Sequence, residues 1–130
     1  MSRILVWHEK DVTSGDKRIG PTFYIEADYK PVAVRIHAEN PPVNGDMEVT
    51  IYDDGVSIFK NRAVTHKDNY DRITYDPEAK TAILPKGQNK DDAAESFDTE
   101  EIAEGSWVHC VVTKSQGAKN ITVQLELVKA

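Results

Sequence analysis

Cysteine is almost missing from this chain: 130 residues contain one, Cys110. A lone thiol excludes an intrachain disulfide, a CxxC zinc framework and a thioredoxin-like dithiol, so packing has to hold the fold together. Long apolar runs are missing too. The amino-terminal run Ile4-Leu5-Val6-Trp7 stops at His8 and Glu9 without a cleavage-site pattern, so no secretory signal is read there. No window approaches the roughly 20 apolar residues of a membrane-spanning helix, and the expectation is a soluble chain made in a cytoplasm, with no membrane partner. Positive charge is in short supply. Sixteen Lys and Arg stand against 22 Asp and Glu, a formal charge of -6, which argues against non-specific binding to nucleic acid or anionic lipid. A Gly-x-Ser-x-Gly elbow, a phosphate-cradling loop and a dinucleotide fingerprint are also lacking, so the expectation is no enzyme and no cofactor.

What is present is a period of two. Val32, Val34, Ile36 and Ala38 alternate with Ala33, Arg35 and His37, the pattern of a half-buried strand. Past the turn residues Asn40 to Gly45, the alternation resumes as Met47, Val49 and Ile51 against Glu48, Thr50 and Tyr52. Asp53-Asp54-Gly55 then predicts a tight hairpin into Val56-Ser57-Ile58-Phe59. The final strand, Ile121, Val123, Leu125 and Leu127 against Thr122, Gln124 and Glu126, follows a turn at Gln116 to Asn120 that joins it to Trp107-Thr113. Ile4-Trp7, Thr22-Glu26 and Thr81-Leu84 are strand-like, rich in β-branched, aromatic and other apolar residues. Asn61 to Lys80 reads as a long connection with room for one more strand, and one short helical turn is placed within Lys90 to Phe97. About eight short strands without crossover helices predict a single all-β domain over 1–130, built as a two-sheet antiparallel β-sandwich. Alternation alone leaves the strand order open between jelly-roll and immunoglobulin-like.

Five stretches of turn and strand grammar carry a resemblance. A strand runs into Ala38-Glu39-Asn40-Pro41-Pro42-Val43-Asn44-Gly45. Another ends in an acidic-glycine hairpin followed by an Ile-Phe pair, within Val49 to Phe59, and Leu84-Pro85-Lys86-Gly87 makes a small loop later. Near the end, Glu104-Gly105-Ser106-Trp107 opens a strand, and Gly117 to Leu127 is a glycine-bearing turn with an alternating last strand. Over roughly Tyr29 to Val128 the chain thus resembles a jelly-roll type β-sandwich domain recurrent in tail, fibre and head-accessory proteins of tailed bacteriophages. The resemblance implies jelly-roll topology and a non-enzymatic virion protein made in the host bacterial cytoplasm. It implies assembly with copies of itself, as a trimer, and with a major capsid or tail protein. Capsid decoration or head-fibre attachment is favoured, because a short domain without heptads builds no long fibre. The alternative is a tail or baseplate module that binds host glycan. The family has no catalytic residues to carry over. The chain departs from the pattern in its first 29 residues and in an acidic stretch from Gln88 to Glu104.

Each remaining motif has a bland reading and a sharper one. The acidic stretch holds seven carboxylates against Lys90 alone, yet it lacks the spaced Asp, Asn and Gly of a calcium loop, so a solvated loop or contact patch is expected. His8, His37, His66 and His109 lack the close spacing of zinc motifs and are read as sheet-face or core residues, with no metal site. His109 adjoins Cys110, but neighbours on a strand face opposite ways, so the two should not meet and Cys110 should be a buried thiol. Residues 1–29 are read as an interface arm or edge strands, with Trp7, Phe23, Tyr24 and Tyr29 as candidate contact residues.

Overall fold

The computed structural model describes residues 2–11, 17–59, 63–66, 72–75, 82–91 and 101–130. Among the described residues there are eleven strands: β1 (Ser2–Asp11), β2 (Lys17–Tyr24), β3 (Tyr29–Asn40), β4 (Met47–Asp53), β5 (Val56–Ser57), β6 (Ala63–His66), β7 (Arg72–Tyr75), β8 (Ala82–Leu84), β9 (Lys90–Asp91), β10 (Trp107–Lys114) and β11 (Lys119–Lys129). Every pairing is antiparallel, and among the described residues there is no helix.

Two sheets form the sandwich. The first has the order β1-β11-β3-β9, and the second β2-β10-β4, with β5 and β8 both on the far side of β4. β8 pairs Met47 to Val49 of β4, and β5 pairs Tyr52 and Asp53, so the two short strands share one strand position. Eight positions result, with β1, β11, β3 and β9 over β2, β10, β4 and the composite strand. Between successive positions, every link except that from β4 to the composite strand changes sheets. This order is a jelly roll. The connection expected over Asn61 to Lys80 interrupts the composite strand, and it contains two strands, β6 and β7, paired with each other. Of the helical turn placed over Lys90 to Phe97, Lys90 and Asp91 are strand β9, and the rest lies outside the described residues.

Alternation produces the core. β11 sends Ile121, Val123, Leu125 and Leu127 inward, β10 sends Val108, Cys110 and Val112, and β4 sends Met47, Val49 and Ile51, all fully buried. Burial at about 25 cal/mol per Å² makes these facing rows the main source of stability. One expected core residue is misplaced. Val34, Ile36 and Ala38 are buried as predicted, but Val32 is 41% exposed. Leu127 pairs Pro31 while Glu126 pairs Ala33, so β3 carries an extra residue at Val32. This bulge reverses the facing of the strand before it, and Pro31, which has no N–H to lose, takes the buried place.

Trp7 ties the two sheets together at one side. Its indole is fully buried, and Nε1 donates to the Pro21 carbonyl at 2.8 Å, from the first sheet to the second. Phe23 meets the indole edge-on at 5.5 Å. Gly20 makes the approach possible: its φ is +63°, and a Cβ there would lie 3.0 Å from Trp7 Cδ1 and 3.2 Å from Trp7 Cα. Backbone atoms cannot yield as a flexible side-chain tip can. Gly20→Ala is expected to cost roughly 1–3 kcal/mol of stability, from left-handed strain plus overpacking. Urea unfolding followed by tryptophan fluorescence checks this, and an unchanged midpoint would contradict the packing account.

Candidate functional site

Residue parity on β10 creates the site. Val108, Cys110 and Val112 claim the core, so Trp107, His109 and Val111 must face outward. Trp107 pairs across strands with Tyr24 of β2, and His109 with Tyr52 of β4. The Tyr24 and Trp107 rings meet edge-on at 5.2 Å, and both are about half exposed, at 49% and 52%. The His109 and Tyr52 rings stack at 5.2 Å, 24° from parallel. Four rings therefore form a strip across three strands of the second sheet.

The hairpin tip holds this strip in place. Asp54 and Gly55 have φ of 48° and 86°, the left-handed pair of a tight two-residue turn. The Asp54 carboxylate accepts the Trp107 N–H at 3.0 Å, and the Asp54 N–H donates to the Trp107 carbonyl at 3.0 Å. Ile25 N–H adds a bond to the Ser106 carbonyl at 2.9 Å. The backbone under Trp107 is bonded on both sides, so its ring is presented from a rigid base.

Two ionisable groups beside the strip are shifted. Burial, and then the Arg18 charge, hold His109 below the usual histidine range, so it stacks on Tyr52 as a neutral imidazole at neutral pH. Burial pushes the Asp53 carboxyl up; a Ser106 hydrogen bond works against the shift, and the neighbouring Asp54 charge adds to it. Asp53 Oδ1 is buried and has no hydrogen-bond partner among the described residues. The strip offers π faces, ring edges and a neutral donor-acceptor ring, which suit the contact of a protein surface or a sugar ring.

The four expected contact residues divide. Tyr24 belongs to the strip, and Phe23 lies half-buried between Trp7 and the Arg3 guanidinium, whose carbon is 5.9 Å from its ring centre. Trp7 and Tyr29 are core residues, at 0% and 4% exposure, and so are not presented to a partner. Tyr29 donates its hydroxyl to the Glu26 carboxylate, which also pairs with Arg3. That bond raises the Tyr29 hydroxyl and lowers the Glu26 carboxyl. Residues 1–29 supply β1 and β2, the outermost strands on one side of each sheet. Trp107, Tyr52 and His109, absent from the expected contact set, complete the strip; the parity of β10 was the signal that could have found Trp107 and His109.

The histidines are dispersed. His8 and His37 flank Thr122 on the outer face of the first sheet, with His8 Nδ1 3.0 Å from Thr122 Oγ1, while His109 lies on the other sheet. The side chain of His66 lies outside the described residues. Cys110 is fully buried, which pushes its thiol far up, and it points away from His109 as expected. Among the described residues, no three His, Cys, Asp or Glu side chains cluster closely enough to hold a metal ion. Residues 92–100 of the acidic stretch lie outside the described residues; of the remainder, Glu104 N–H donates to the Asp28 carboxylate at 2.8 Å. No protein-family model and no curated protein matches this chain.

Both shifts have consequences for stability against pH. Asp53 binds its proton more tightly folded than unfolded, so its ionisation costs stability fully above its folded pKa, and the cost fades as pH falls through the carboxylate range. Asp53→Asn is therefore expected to raise Tm at pH 7 by on the order of a few degrees, with the gain shrinking in acid. His109 behaves oppositely, since the unfolded chain takes up its proton first. Stability should fall as pH drops below about 6.5, and His109→Phe should flatten that slope while keeping a ring on Tyr52. Thermal melts at several pH values check both, and parallel Tm profiles for variant and wild type would contradict these assignments.

Proposed function

We propose that this jelly roll is a non-enzymatic structural protein of a bacteriophage virion, a capsid decoration or head-fibre accessory that works through repeated protein–protein contacts. The observation that carries the reading is the half-exposed Tyr24 and Trp107 pair on a rigidly bonded sheet face. Tyr and Trp are enriched at protein interfaces and dominate their energetics, because they bring large area at little entropic cost. The strand order supports it at the level of fold, since jelly rolls recur in viral capsid and lectin domains. Repetition by symmetry makes weak single contacts strong in sum, so a small domain can anchor to a capsid or tail protein without a large interface.

The same rings support a second reading, a carbohydrate-binding or host-adhesion module, because sugar rings stack on exposed aromatics. Two experiments separate the readings. Immunogold labelling of purified phage particles is expected to decorate the head; label at the tail tip favours adhesion, and bare particles overturn the virion reading. On a glycan array, specific binding would count for the sugar reading and its absence for the architectural one. In either case Trp107→Ala is expected to weaken the interaction about tenfold or more, with little loss of Tm because the ring is half exposed. Unchanged affinity would remove the strip from the contact.

A further inference from the structure

The two outermost strands on the Trp7 side are protected unequally. β2 carries Gly20 in a left-handed conformation followed by Pro21, and its ladder to β10 slips between Val108 and Cys110. Proline and a bulge are devices that blunt an edge. β1 has neither. It is ten residues long, without Pro or Gly, and in unbroken register with β11 from Ser2 to Glu9. Among the described residues, no backbone group of residues 2–10 bonds outside that ladder. Half of these N–H and C=O groups are therefore left for water or another strand. On the outer face, Ile4 and Val6 are 49% and 42% exposed beside this edge.

We propose that β1 pairs with β1 of a second copy of this chain, antiparallel about a two-fold axis at Val6, which merges two four-stranded sheets into one. The sequence of the strand is complementary to itself in that register. Val6 meets Val6, Ile4 meets His8, Leu5 meets Trp7, and Arg3 meets Glu9 on either side of the axis. Opposite charges thus face each other twice, and the Ile4 and Val6 side chains of both copies form one apolar strip. A slip of one residue would set the core face of one strand against the wet face of the other. A slip of two toward the carboxyl end would set Leu5 against Glu9 and Ile4 against Lys10. Isologous pairing of this kind is two-fold, so a trimer would have to use another surface. The inference names a partner for the edge and deepens the assembly reading, which rests on the strip.

Sedimentation of the full chain up to about 1 mM is expected to show a reversible dimer, and Val6→Lys is expected to weaken it at least tenfold. Val6→Cys should form a covalent dimer under mild oxidation, because the two-fold axis brings the new thiols together and Cys110 is buried. Ile4→Cys, which faces His8 in this register, and Val56→Cys, 67% exposed on the far side of the second sheet, should cross-link far more slowly. Tryptophan fluorescence of the buried Trp7 confirms that each variant is folded. A chain that stays monomeric overturns the pairing, whether water or a strand of another protein occupies the edge, as does equal cross-linking of all three cysteine variants. A monomer on labelled particles would leave the virion reading standing, whereas a dimer with bare particles would leave only the pairing.

Discussion

The closure of the sandwich on its β1 and β2 side depends on the indole of Trp7. A buried ring of that size needs a partner for its N–H, and the Pro21 carbonyl supplies one from the opposite sheet. That bond requires close approach of β2, and close approach requires a residue without Cβ at Gly20. Phe23 then fills the edge of the indole, and Arg3 covers Phe23 while pairing with Glu26, which in turn accepts the Tyr29 hydroxyl. The chain of contacts runs from one tryptophan through both sheets to the start of β3. It also removes Trp7 and Tyr29 from the surface.

What remains outside is set by parity. With Val108, Cys110 and Val112 committed to the core, Trp107 and His109 have only the outer face, where Tyr24 and Tyr52 are their cross-strand neighbours. The turn at Asp54 and Gly55 does two jobs: it reverses the chain, and its carboxylate and amide bond the backbone of Trp107. A ring on so well bonded a strand loses little freedom when it meets a partner, which is the property that a repeated contact needs. The edge of β1 supplies a different kind of contact, made by backbone groups.

Much of this was legible in the amino-acid order. The alternating runs in β3, β4 and β11 marked their inward faces, and Asp53-Asp54-Gly55 marked the hairpin. The opposite facing of His109 and Cys110 followed from strand geometry. Val32 was not legible, because a bulge at Pro31 and Val32 shifts the phase without altering the local pattern. The strip was half legible: each ring could be counted, but Tyr24, Trp107, His109 and Tyr52 are brought together by pairing between residues far apart in the chain.

Composition and period two are sufficient for an all-β chain with a wet face and a dry face on each strand, since side-chain direction on a strand is a local property. They are insufficient for the order β1-β11-β3-β9 over β2-β10-β4, for the sharing of one strand position by β5 and β8, and for the fate of each aromatic ring. Those depend on which strands become neighbours. Ring burial in particular is settled by the space between sheets: Trp7 fills a gap that Gly20 leaves, and Trp107, equally apolar, finds its inward places already taken by Val108 and Cys110.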